Sequence, residues 1–119
     1  MIYVNMKLAI VGSRSFTNYE LLQINLLRLF PVLPSEIISG GAMGADTLAE
    51  RFATAHAIKL TVHDAAWSSY GRRAGYLRNE TIVQAADVIV AFWDGKSPGT
   101  KLTIDLARRY NKQVIVIQI

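Results

Sequence analysis

The chain has 119 residues, 51% of them hydrophobic and 18% charged, with a formal net charge of +4. A domain of that length buries roughly two-thirds of its unfolded surface, so it needs no metal or disulfide staple, and the lack of cysteine excludes disulfides and thiolate metal sites. No apolar run reaches the length of a membrane span and no signal-peptide layout opens the chain, so a single cytoplasmic domain over residues 1–119 is expected.

Lys7-Leu8-Ala9-Ile10-Val11 reads as a buried strand that starts as early as Ile2 and ends in the small-residue turn Gly12-Ser13-Arg14-Ser15. Thr17-Asn18-Tyr19-Glu20 fits the capping-box pattern, so a helix is expected from Thr17 to about Phe30, stopped by Pro31 and Pro34. Its Leu21, Leu22, Ile24, Leu26, Leu27, Leu29 and Phe30 exceed one apolar stripe, so the helix is either deeply buried or part of a subunit interface; deep burial on all sides is hard to arrange in so small a domain, which favours the interface and a homo-oligomer.

Glu36-Ile37-Ile38 is a second strand, and Thr47 to about His56 a helix with Leu48, Phe52 and Ala55 on a shared face. Between them lies Ser39-Gly40-Gly41-Ala42-Met43-Gly44-Ala45-Asp46. A strand, a glycine turn and a helix start bring unpaired N–H groups and the positive end of the helix dipole to one point, which suits a phosphate. Gly40, Gly41 and Gly44 carry no Cβ to hold such a ligand off the backbone; the plain alternative is a tight connection that needs glycine for its dihedrals. A carboxylate repels phosphate, which leaves Asp46 two roles: accepting from N–H groups at the helix start, or binding ribose hydroxyls.

Lys59 to His63 alternates and reads as a third strand, and residues 65–71 as a loop carrying Trp67 and Tyr70. A helix from about Arg73 to Ala85 carries Arg78 and Asn79. Asp87 to Phe92 is apolar on both faces and therefore a central strand. The loop Asp94-Gly95-Lys96-Ser97-Pro98-Gly99 leads into a helix from Thr100 to about Tyr110, with Thr100 as capping hydroxyl, and Gln113 to Ile119 closes the chain as a fifth strand.

Strands alternating with helices imply a Rossmann-like three-layer α/β sandwich around a five-stranded parallel sheet with right-handed crossovers. The loops after strands one, two and four then share the edge at the strands' carboxyl ends, where ligands bind in open parallel sheets. The sequence pI near 9.6 suits an anionic partner, although the arginines are scattered as on an ordinary solvated surface. His56 and His63 have no partners at ligand spacing, so neither a metal nor a cofactor is expected.

Four segments, Gly12 to Phe16, Ser39 to Asp46, Ala74 to Asn79 and Ala91 to Thr100, resemble in order and spacing the YspA/YpsA-related branch of the SLOG superfamily. That group shares its fold with the DNA-processing protein DprA and with LOG-type phosphoribohydrolases. The resemblance implies a pocket for a nucleotide or nucleotide derivative, in a sensor or in an enzyme. Carried over by position, it puts Gly12, Ser13 and Arg14 on the first turn and Ser39, Gly40, Gly41, Ala42, Gly44 and Asp46 on the second. Arg78 and Asn79 then face the ligand from the third helix, with Trp93, Asp94, Ser97, Gly99 and Thr100 on the last loop. Trp93 either lines the pocket or caps the core, and Trp67 and Tyr70 either form a lid or pack.

LOG hydrolases carry a catalytic glutamate three positions after the threonine of their glycine-threonine pair; here Thr103 stands there and cannot take a proton as a carboxylate does. Hydrolysis would then fall to Asp46 or Asp94. A further alternative is single-stranded DNA binding of the DprA kind, through Arg72, Arg73 and Arg78 interleaved with Trp67, Tyr70 and Tyr76.

Overall fold

The computed structural model describes residues 2–119, the side chains of Trp67, Ser68 and Arg72 excepted. The roles expected of Trp67 and Arg72 therefore fall outside the described residues.

Five strands, β1 (Val4–Gly12), β2 (Pro34–Ser39), β3 (Lys59–Val62), β4 (Val88–Trp93) and β5 (Gln113–Gln118), form one parallel sheet in the order β3-β2-β1-β4-β5. The helices are α1 (Tyr19–Leu29), α2 (Ala45–Ala55), a short α3 (Trp67–Tyr70), α4 (Ala74–Ala85) and α5 (Pro98–Arg109). The Rossmann-like reading holds. Alternation along the central strands divides the core in two. Leu8, Ile10, Val90 and Phe92 face α1 and α2, where Leu22, Leu26, Leu48 and Phe52 pack. Ala9, Val11, Ile89 and Ala91 face α4 and α5, against Ile82, Val83, Ile104 and Leu106. With α1 and α2 on one face and α4 and α5 on the other, the switch in strand order falls between β1 and β4. A crevice opens there, at the carboxyl ends of the strands.

Three local expectations are corrected. The cap of α1 is Asn18, whose Oδ1 accepts from the Leu21 N–H at 3.1 Å, so the Thr17–Glu20 box does not form; asparagine caps as well as threonine, and the cap lies one residue later than expected. Thr100 does not cap α5. The cap position is Ser97, Pro98 takes the first helical place that its missing N–H suits, and Thr100 lies inside the first turn. The loop read over residues 65–71 contains α3 and, over residues 71–73, a 3₁₀ turn.

Most of the apolar surplus of α1 is absorbed by the core. Leu22 and Leu26 are buried and Leu21, Leu29 and Phe30 pack half-buried beside them, which leaves Ile24 and Leu27 exposed. Among the described residues no helix is long and apolar enough to cross a membrane.

Candidate functional site

Ser13 ties the three strand-end loops together. Its N–H donates to the Phe92 carbonyl at 3.0 Å, and its own carbonyl accepts from Phe16 and from Ala45, the first residue of α2. Its Oγ accepts from the Asp94 N–H at 3.2 Å and lies 3.1 Å from Ser97 Oγ. A serine 1% exposed and bonded in this way is a strut between loops.

The Ser39–Asp46 turn is closed on itself. Its Ser39 Oγ takes the Gly41 N–H at 3.4 Å, Asp46 Oδ2 takes the Ala42 N–H at 3.2 Å, and the Ser13 carbonyl takes the Ala45 N–H at 3.2 Å. Gly41 and Gly44 have φ of +69° and +73°, a region that side chains rarely adopt, so the plain reading of these two as turn glycines accounts for them. Asp46 accepts from the Ala42 N–H, in the turn ahead of α2, and makes no side-chain cap bond at the helix start itself. Burial pushes its carboxyl above the ordinary 3.8, outweighing the Ala42 N–H and the charges of Arg78 and Arg14, while Glu50 adds to the rise.

The start of α5 is different. No described group accepts from the Gly99 or Thr100 N–H. Thr100 is 5% exposed, and no hydrogen bond engages its hydroxyl among the described residues. Both residues line a cleft of about 490 Å³ at the β1–β4 switch point. Gly12, Arg14, Ala42, Asp46, Arg78, Asn79 and Ser97 stand in the same walls, so nine residues singled out from the sequence share one cavity. The guanidinium of Arg14 is exposed, with no hydrogen bond or ion pair among the described residues.

Asn79 links the two sides of the cleft, taking the Arg78 Nε–H on Oδ1 at 2.8 Å and reaching the Gly99 carbonyl from Nδ2 at 3.5 Å. Thr103 also lines it, 3% exposed, with its hydroxyl donating to the Gly99 carbonyl at 3.2 Å.

A second hollow of about 470 Å³ adjoins the first and shares Arg14, Ala42 and Arg78 with it. Gly40 and Gly41 line it, together with Met43, Thr47 and Asp64. Asp64 follows β3, and the only sequence signal for it was the position of His63-Asp64 at a strand end.

Ser13, Ser39, Gly44, Trp93 and Asp94 stand in neither hollow. Of the two placements open to Trp93, the structure has the core: the residue packs against the α4–α5 side of the sheet and donates from Nε1 to the Ser97 carbonyl at 3.1 Å. Asp94 closes its own loop, accepting from the Lys96 and Ser97 N–H groups at 2.8 and 2.7 Å. Those bonds, the Ser97 one foremost, hold its carboxyl down at about 2.

The model of the YspA, cpYpsA-related SLOG family matches residues 6–70. The Gene 61 protein of Mycobacterium phage D29 is 38% identical over 85 residues, which cover 66% of this chain and 68% of that protein. Among solved structures, DNA processing protein A of Helicobacter pylori, a single-stranded DNA binder, superposes with a TM-score of 0.72 at 23% identity, over 94% of this chain and 65% of its own. DprA of Streptococcus pneumoniae superposes with a TM-score of 0.79 at 19% identity, over 97% of this chain and 51% of its own. At such identities the likeness establishes the fold, and this chain spans less than two-thirds of either DprA chain.

Proposed function

The chain belongs to the YspA, cpYpsA-related SLOG family, and from that premise we propose that it binds a nucleotide or nucleotide-derived ligand in the cleft at the β1–β4 switch point. The phosphate sits at the start of α5. One observation carries this reading: the hydroxyl of Thr100, a residue 5% exposed in the cleft wall, and the N–H groups of Gly99 and Thr100 have no hydrogen-bond partner among the described residues, at the positive end of a twelve-residue helix. Arg14, unpaired across the cleft, supplies the opposing charge.

The role is that of a binding or sensing domain. Thr103 carries no carboxylate and already donates to Gly99, and Asp94 is bonded into its own loop outside the cleft. Asp46 is the one carboxylate in the cleft wall, and burial favours its neutral form. Thermal unfolding in a broad screen of nucleoside phosphates tests the proposal. A ligand at about 100 times its dissociation constant adds about 2.7 kcal/mol, a shift on the order of 10 °C for a domain of this size. A screen with no shift at millimolar concentration contradicts it.

A second reading, single-stranded nucleic acid, draws on Tyr70 at the end of α3 and Tyr76 in α4, 57% and 39% exposed, as stacking surfaces interleaved along the chain with Arg73 and Arg78. The H. pylori relative's binding mode supports it by analogy of fold. Salt separates the two: strand binding weakens steeply with added salt, whereas a pocketed mononucleotide loses much less.

A further inference from the structure

We propose that the second hollow receives the sugar of the bound nucleotide and that Asp64 selects ribose by accepting hydrogen bonds from its 2′- and 3′-hydroxyls. This rests on the phosphate site proposed above and names the group that comes next to it.

Asp64 is an exposed carboxylate in the wall of a cavity, and no hydrogen bond or ion pair engages it among the described residues. Two guanidinium groups, Arg14 and Arg78, line the same hollow, yet the acid pairs with neither. Its position is set by the turn opposite: a Cβ built on Gly41 collides with Asp64 Oδ1, so the carboxylate lies against the bare Cα of that glycine. The carboxylate therefore lies against the turn and retains its acceptor capacity.

Chemistry narrows what it accepts from. An anion against Asp64 is repelled, and a cation in this hollow meets Arg14 and Arg78. A neutral donor suits all three groups. A carboxylate, with its two oxygens, accepts well from a pair of adjacent hydroxyls. Connectivity favours the sugar over the base as the source. The two hollows share the walls made by Arg14, Ala42 and Arg78, and in a nucleoside 5′-phosphate the group joined directly to the phosphate is the ribose. The base then lies beyond, toward the exposed Tyr70, which together with Asp64 and Arg78 borders a third depression of about 210 Å³.

Calorimetric titration of the four ribonucleoside 5′-monophosphates and their 2′-deoxy counterparts into the parent, Asp64→Ala and Asp64→Asn proteins tests this. For whichever bases bind, the parent should hold the ribo form about tenfold or more tighter than the deoxy form, the strength of a hydrogen bond to a charged acceptor. That ratio should fall close to one in Asp64→Ala and to an intermediate value in Asp64→Asn. Both variants should melt near the parent, since an exposed, unpartnered side chain is altered.

Equal affinity of the parent for ribo and deoxy forms overturns the inference and leaves the phosphate site standing. A ribo preference that survives intact in Asp64→Ala overturns it too. So does an Asp64-dependent preference for one base at equal ribo and deoxy affinity, which would assign the acid to a base edge. Failure of every nucleotide to bind overturns the phosphate site and this inference together.

Discussion

Arg78 Nη1 donates to the carbonyl of Gly40 at 2.6 Å, fastening α4 to the turn after β2. A Cβ built on Gly40 stands 2.8 Å from that nitrogen and 2.8 Å from Asp46 Oδ2, so the glycine lets an arginine and a buried carboxylate close around the backbone. The arginine expected from its motif to face a ligand is first a brace for the ligand's cavity. Arg78→Ala should therefore destabilise the fold by about 1–3 kcal/mol, the cost of leaving a largely buried carbonyl without its donor. Urea denaturation measures it. Ligand affinity lost in this variant reports on cavity shape as well as on contact.

Asp46, in the cleft wall, and Asp94, in the loop after β4, respond to pH in opposite directions. Asp46 has its pKa raised above 3.8 by burial, so the folded state holds that proton more tightly than the unfolded one. Its ionisation works against folding as pH rises from 3.8 through the raised value. Asp46→Asn keeps an acceptor for the Ala42 N–H and removes the ionisation. It should match or exceed the parent's stability at pH 7 and lose that advantage near pH 4. Asp94, held at about 2, stabilises above 3.8 and stops doing so as pH falls through 2. Asp94→Ala should accordingly cost stability at pH 7 and almost nothing at pH 2, measured as melting temperature across that range.

Gly41 and Gly99 separate folding from binding. At Gly41, φ is +69° and an added Cβ meets Asp64 and Val62, so Gly41→Ala should cost at least about 1–2 kcal/mol whatever binds. Ligand affinity lost in Gly41→Ala is therefore read together with its loss of stability, since the positive φ makes alanine strained there. Gly99 has the opposite character. It lies in the first turn of α5, and nothing stands within 4 Å of the Cβ it lacks. Gly99→Ala should raise stability by roughly 0.5–1 kcal/mol through helix propensity. In the same protein, a methyl in the cleft wall should weaken nucleotide binding. Opposite signs in one variant identify a glycine kept for its ligand.

Much of this was legible in the sequence. Alternating strand and helix patterns gave the parallel sheet, and a parallel sheet gathers its loops on one edge, so nine of the residues chosen from motifs meet in one cavity. The allocation of donors within the loops was not legible. The Ser39 and Asp46 bonds are local to the turn, but that the Ser13 carbonyl takes the Ala45 N–H from another loop depends on tertiary placement. Thr17 likewise does not reveal that Asn18, one residue on and equally able to cap, is the residue that caps α1. Asp64 was hard to weigh for the same reason. Its significance comes from Gly41 and Arg78, distant in sequence and adjacent across the hollow.

Titrating one binding nucleotide into the parent and into Thr100→Val tests most directly for a phosphate at the start of α5. Valine keeps the shape of threonine and removes only the unpartnered hydroxyl, so the variant should melt at or slightly above the parent's temperature. Thr100→Val should bind a nucleoside 5′-phosphate about tenfold more weakly, the loss of one hydrogen bond to a charged group. The matching nucleoside without phosphate should show no difference between the two proteins. A folded Thr100→Val protein that binds the phosphate as tightly as the parent would contradict a phosphate at that position.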